Sequence, residues 1–348
     1  MRTCNALLVL LLGCSSVLAQ ANAARPAGSC GDCHQRVVST QPMTQMGRAM
    51  QLPGDNPSLA AHPKLTLHRD PYIYTVETQD GQTAYSVSDG KRTLSIPIRW
   101  SMGAEAQTWL LEYNGRFYES MVSYYPKIQA LDLTIGDDRL LPTTLEEAIG
   151  RPLVSEGVTT CFGCHSTHAV ADDQLTLQTL TAGVTCEHCH TGASAHAQAI
   201  LAGDTSVTPP SLGEMSSESI SDFCGRCHRT FELVVRAGWR GPSNVRFQPY
   251  RLALSKCFDG ADPRISCIAC HDPHQKVVRD TVFYDSKCLA CHSRAASHAP
   301  PHAKVCPVAA SSCTSCHMPK TSLPGGGGHF VFTDHDIRVT KPNEPYPF

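Results

Sequence analysis

The sequence predicts mainly short helices and loops wrapped around seven packed prosthetic groups, with a small antiparallel β insert between the first group and the second. Three observations predict it. The pentapeptide Cys-x-x-Cys-His occurs seven times. The 348 residues leave only about fifty per occurrence, too few to build an apolar core around each. The one long interval without the motif is filled by short β-branched and aromatic runs punctuated by turn dipeptides.

The motifs are Cys30, Cys33 and His34; Cys161, Cys164 and His165; Cys186, Cys189 and His190; Cys224, Cys227 and His228; Cys267, Cys270 and His271; Cys288, Cys291 and His292; Cys313, Cys316 and His317. With 18 Cys and 17 His in the chain, even a single chance match is improbable. Two thiols three residues apart reach the two vinyl groups of one porphyrin, and the next imidazole then falls under the iron as its first axial ligand. A redox dithiol or half of a zinc site also uses Cys-x-x-Cys, but neither requires the following histidine seven times over. The cofactors expected are therefore seven covalently bound haem c groups, whose iron makes electron transfer the expected function.

Covalent haem attachment belongs outside the reducing cytosol, and the N-terminus agrees. Arg2 precedes an apolar run beginning at Ala6 to Leu12. Leu11-Leu12-Gly13-Cys14 resembles a bacterial lipoprotein signal that would leave a lipidated Cys14; Val17-Leu18-Ala19 or Ala21-Asn22-Ala23 would instead release a soluble protein. A signal at 1–23, or 1–13 in a lipoprotein, is followed by a first-haem segment at 24–64. The location expected is the periplasm, the outer membrane or the cell exterior.

From Cys30 to Cys161 is 131 residues, whereas later motifs start 25, 38, 43, 21 and 25 residues apart. In the long interval, Tyr72 to Val76, Thr83 to Val87, Leu94 to Ile98, Thr108 to Tyr113 and Phe117 to Val122 read as strands. Asp80-Gly81, Asp89-Gly90 and Asn114-Gly115 read as tight turns between them. This places a β-rich insert at 65–126, a six-haem domain at 127–340 and a surface tail at 341–348. Ser219 to Val235 and Tyr250 to Lys256 read as helical, and Gly325 to Gly328 as a flexible connector.

Ten histidines lie outside the motifs, enough for every iron to take a second imidazole. The candidates are His168, His196, His274, His335 and one of His298 and His302. His168 and His274 follow a motif histidine by three residues, too near to swing across the same porphyrin, so both would ligate neighbouring haems. His62, His68, His188 and His329 suit surface, propionate-pairing or supporting roles equally well. Among Met43, Met46 and Met50, Met46 is the candidate axial thioether of the first haem, against a packing role for all three. Cys257 and Cys306 would form a disulfide or remain separate thiols.

The formal charge is −2, and two ionised propionates per haem would carry it towards −16, less whatever pairing and protonation remove. Nucleic acid is therefore excluded as a partner. A redox donor and a redox acceptor, one presenting a cationic patch, are expected.

CGDCHQRVVSTQPMTQMGRAM at Cys30 to Met50, GVTCEHCHTGASAH at Gly183 to His196, YRLALSKCF at Tyr250 to Phe258 and SCIACHDPH at Ser266 to His274 carry a resemblance. CPVAASSCTSCHMPK at Cys306 to Lys320 and FTDHDIRV at Phe332 to Val339 complete it. The chain resembles the multihaem c-type cytochromes grouped with the tetrahaem electron acceptor of hydroxylamine oxidation. It is closer still to the haem-binding portion of tetratricopeptide-linked multihaem proteins. The resemblance implies that His196, His274 and His335 are second ligands, that the Met46 region covers the first haem, and that the protein transfers electrons. Thr191-Gly192-Ala193 stands where the family often has Gly-Pro-Gly, and the tetratricopeptide repeats are not in this sequence.

A carrier between redox partners is the reading favoured. A reductase of nitrogen or sulfur oxyanions would need one open iron. No Cys-x-x-Cys-Lys occurs, and nothing in sequence brings Tyr124 or Tyr125 to an iron. A subunit of a conducting filament would donate an axial histidine to its neighbour.

Overall fold

The structure, a computed structural model, describes residues 30–293, 296, 304–341, 344, 346 and 347. The expected leader, Cys14, His298 and His302 lie outside the described residues. Among the described residues, no helix is long and apolar enough to cross a membrane.

Ten strands occupy residues 50 to 152: β1 (Met50–Gln51), β2 (Lys64–Arg69), β3 (Tyr72–Gln79), β4 (Gln82–Ser88), β5 (Thr93–Pro97), β6 (Trp100–Met102), β7 (Gln107–Tyr113), β8 (Arg116–Tyr125), β9 (Ala130–Leu133) and β10 (Gly150–Pro152). β2 to β5 form a four-stranded antiparallel meander. The other sheet runs β1-β6-β7-β8-β10, with β9 also paired to β8. The turns obey local chemistry: Asp80 and Gly81, and likewise Asn114 and Gly115, all have positive φ, as a two-residue type I′ hairpin needs.

Side-chain alternation decides which faces meet. Tyr74 and Val76 of β3, Tyr85 and Val87 of β4 and Ile96 of β5 point to one side of the meander and are almost fully buried. They pack against Trp109, Leu111 and Met121 of the second sheet, with Leu145, Ala148 and Ile149 closing one side. Tyr85 bridges the layers: its ring lies 6.3 Å from Trp109, and its hydroxyl donates to the Ile149 carbonyl at 3.0 Å. A bulge between Thr108 and Leu110 lets the Trp109 amide donate to Ser120 Oγ instead of continuing the ladder.

This core corrects the expected fold class. The apolar interior is mainly β and is built by two sheets packed on each other. It is neither a small insert nor an appendage to a helix-and-loop wrap. Four of the five expected runs lie wholly in strands and Leu94 to Ile98 passes the end of β5 by one residue, but β1, β2, β6, β9 and β10 are not marked by the sequence. They are polar or short, and pairing with a neighbour makes them strands where propensity does not. Further two-stranded ribbons lie among the motifs, at Ser166–Thr167 with Thr181–Ala182, Val170–Ala171 with Gln174–Leu175, and Lys320–Ser322 with Val331–Thr333. Gly325 to Gly328 turn this last ribbon, with positive φ at three of the four glycines.

A second apolar cluster joins sheet to motifs. Met50, Trp100, Met102 and Leu110 pack on Val158 and Phe162 of helix Ser155–His165, with Trp100 edge-on to Phe162 at 5.0 Å. After this helix the apolar packing thins to Val234, Phe247 and Tyr250. The segment read as one helix from Ser219 to Val235 is two, Ser217–His228 and Phe231–Arg236. Arg229 takes φ +70° between them, and Thr230 caps the second by accepting from the Leu233 amide.

Candidate haem-binding cavity

Each motif begins or ends a helix. The second, fourth and sixth close helices Ser155–His165, Ser217–His228 and Thr281–His292. The first, third, fifth and seventh sit on single turns at Cys30–Cys33, Cys186–Cys189, Cys267–Cys270 and Cys313–His317. Helical spacing puts each pair of thiols on one face, with the histidine one turn from the first thiol.

Motifs two to seven all line one connected cavity of about 2880 Å³. Protein interiors are close-packed, and a site for one small molecule measures roughly 300–1,000 Å³, so this volume matches several large occupants and no single small one. Residues just after the first motif, including Gln41, Gln45 and Met46, reach the same space.

Thiols of different motifs lie close together in a branched series. Cys30 is beside Cys186, Cys164 beside Cys227, Cys224 beside Cys267, and Cys288 beside Cys313. Cys189 lies in the field of Cys224 and Cys227, and Cys270 in that of Cys288. The spatial order is first, third, fourth, fifth, sixth, seventh, with the second branching from the fourth. The β excursion thus returns the chain so that the first motif neighbours the third.

Ring nitrogens decide which histidines can ligate. His165 Nδ1 faces the Ala49 carbonyl at 2.8 Å, His196 Nδ1 that of Val207 at 2.6 Å, His292 Nδ1 that of Lys304 at 2.8 Å and His335 Nδ1 that of Thr333 at 3.0 Å. A carbonyl only accepts, so Nδ1 carries the proton and Nε2 keeps a free lone pair. His271 Nδ1 is 3.3 Å from the Tyr284 hydroxyl, which itself donates to Val278, and His274 Nδ1 is 3.3 Å from Asp272 Oδ1. Burial lowers the pKa of His165, His190, His228 and His271. Burial, reinforced by the neighbouring His271, takes His335 down to about 4. These rings are neutral donors at physiological pH.

Two pairs of rings lie close: His190 and His274 at 6.0 Å between centres with planes 7° apart, and His271 and His335 at 6.2 Å with planes 41° apart. An imidazole nitrogen binds a first-row metal at about 2.0–2.1 Å and its ring centre lies about 1.1 Å behind, so two imidazoles on opposite sides of one iron stand about 6 Å apart. Among the described residues, no three His, Cys, Asp or Glu side chains converge as a bare ion requires. Porphyrin iron asks the chain for only two donors, a number that a pair of imidazoles matches.

The remaining candidates are not paired in this way. His168 has φ +60°, is half exposed, and points Nε2 at Glu187 Oε2 across 3.4 Å, outside the cavity. His329 lines the cavity, but its Nε2 is held by Asp132 at 2.6 Å. His62 and His68 belong to the β region. His196 is correctly protonated for ligation but does not line the cavity. Met46 lines it, Met43 is exposed, and Met50 is sealed in the second apolar cluster. Tyr125 reaches the cavity beside His329, with ring centres 4.3 Å apart, while Tyr124 stacks near His62. Cys257 and Cys306 are separate free thiols, so the disulfide considered from sequence is not formed.

Residues that sequence reading missed hold these rings in place. Arg251, 1% exposed, makes a two-pronged contact with Asp334 at 2.8 and 2.9 Å and reaches Asp336 at 3.1 Å, gripping both neighbours of His335. Ser255 Oγ donates to the His335 carbonyl at 3.0 Å. Comparison of the chain with family models, with curated proteins and with solved structures finds no match in any of the three.

Proposed function

We propose that this protein is an exported multihaem c-type cytochrome that carries electrons between a redox donor and a redox acceptor through seven covalently bound haem c groups. One observation carries the reading: six Cys-x-x-Cys-His motifs open on a single large cavity in which imidazoles stand in pairs about 6 Å apart. When bound, each haem supplies an iron that gains and loses one electron. The chain's part is to fix and tune those irons. The cysteines tether, the motif histidines would ligate one side, and His274 and His335 would ligate the other side of the groups tethered at Cys186–Cys189 and Cys267–Cys270. Backbone carbonyls at residues 49, 207, 304 and 333 hold Nδ1 protons and keep Nε2 free. The continuous series of thiols supports a conduit, because adjoining tethers keep neighbouring groups adjacent.

The test is low-temperature electron paramagnetic resonance of the oxidised holoprotein, alongside the variants His274→Ala and His335→Ala. Low-spin signals in the native protein, with one low-spin iron converted to high-spin in each variant, are expected. Native-like spectra from both variants would overturn the ligand assignment, and a protein that matures without haem would overturn the function.

A further inference from the structure

The branch formed by the second and fourth motifs also opens on a smaller concavity of about 540 Å³ that adjoins the large cavity and shares His165, Cys227, His228, Ser243 and Arg246 with it. His165, Cys227 and His228 form one side of it, and Arg229, Arg240 and Arg246 line the rest with Trp239, Asn244 and Phe247. Its volume falls within the range of roughly 300–1,000 Å³ typical of small-molecule sites. Among the described residues, none of the three guanidinium groups donates a hydrogen bond to the protein or pairs with a carboxylate, and no carboxylate lines the pocket. Arg151, whose charge also reaches Arg246, behaves otherwise: it is matched by Glu119 and Asp137.

The pocket is built rather than incidental. Arg229 occupies a positive-φ conformation costly for a residue with a side chain, held by the break between two helices. The opposite wall is a tight turn with positive φ at Gly238 and Gly241, tied by buried Asn244, whose Nδ2 donates to the Trp239 carbonyl at 2.8 Å. Trp239 and Phe247 stack obliquely at 5.4 Å, and Arg246 lies 5.2 Å from the Phe247 ring. Burial first, and then the charge of Arg229, pull the Arg246 pKa down, with Glu119 opposing them.

We infer that this pocket binds an anion, a carboxylate or small oxyanion clasped by Arg229, Arg240 and Arg246 beside His228. Guanidinium forks match such groups two oxygens at a time. The inference rests on the reading of Cys224–Cys227 as a haem tether for its consequence, since an anion there stabilises the oxidised iron and makes the branch responsive to ligand. The carboxylate can come from two sources, a propionate of a tethered haem or a free anion from solution.

The experiment is calorimetric and visible-spectral titration of the holoprotein with nitrite, sulfate and malonate, repeated on Arg240→Gln and Arg246→Gln, with haem content measured on each sample. Saturable binding at one site, weakened about ten-fold or more by either substitution, identifies a free anion. No binding, with one midpoint potential and its pH dependence shifted by both substitutions, identifies a propionate. Neither binding nor a shifted potential overturns the inference. Haem content separates that failure from failure of the cytochrome reading, because anion binding by a haem-free protein would leave the pocket standing alone.

Discussion

The β region, residues 50 to 152, and the motif region that follows it solve the problem of an interior in opposite ways. The first buries Tyr74, Tyr85, Trp109, Leu111 and Met121 against one another and needs nothing from outside the chain. The second has a minimal cluster of Val234, Phe247 and Tyr250, and in place of a core it encloses some 2880 Å³ lined by thiols and imidazoles. On the proposed function, the difference teaches that one polypeptide can contain a conventionally stabilised half and a half whose stability is conditional on what it binds.

Withholding haem sharpens that comparison most. Protein made without haem attachment should retain slow amide hydrogen exchange in β3, β4, β7 and β8 and lose protection throughout the motif region. Uniform protection in both halves would break the distinction.

Next in size are substitutions directed at one half. Trp109→Ala should destabilise the β region by about 3–5 kcal/mol, as loss of a buried aromatic does. Arg251→Ala leaves buried Asp334 and Asp336 with only Arg338 as a cationic partner and should cost about 3 kcal/mol, the low end for a broken buried pair. The two differ in a further readout. Arg251→Ala should also raise the high-spin fraction of one iron by freeing His335, whereas Trp109→Ala should leave the haem spectrum unchanged. Chemical denaturation with parallel visible spectra checks both.

The smallest effect is on pH dependence within the β region. Asp137 is fully buried, and burial, opposed by Arg151, raises its pKa from 3.8 to about 7. The folded state then keeps a proton that the unfolded state loses, so stability falls as pH rises from about 4 to about 7, and the penalty is complete above that. Asp137→Asn should remove this slope, with its largest gain in melting temperature above pH 7. A variant less stable than the native protein there would mean that the Arg151 contact outweighs desolvation.

The site was far more legible in the sequence than the fold. Seven pentapeptides mark the proposed tethers and first ligands, because the porphyrin chemistry proposed for them would fix their spacing locally. The β strands with aromatic and β-branched alternation were equally plain. The core they form was not, because Trp109 meets Tyr85 only after two sheets pack, and β2, β6, β9 and β10 owe their strands to partners. Second ligands were ambiguous for a similar reason. His168 and His274 follow their motif histidines at the same spacing, yet one turns to Glu187 and the other faces His190. Nothing local distinguishes them. Arg251 gave no signal at all, since its partners lie 83 and 85 residues away.

The account rests on the cavity being filled by tethered haem, and intact-mass measurement of the mature protein, with haem quantified as its pyridine complex, tests that most directly. Seven haems retained on the chain after denaturation are predicted. A denatured chain with the mass of the bare polypeptide would contradict the account.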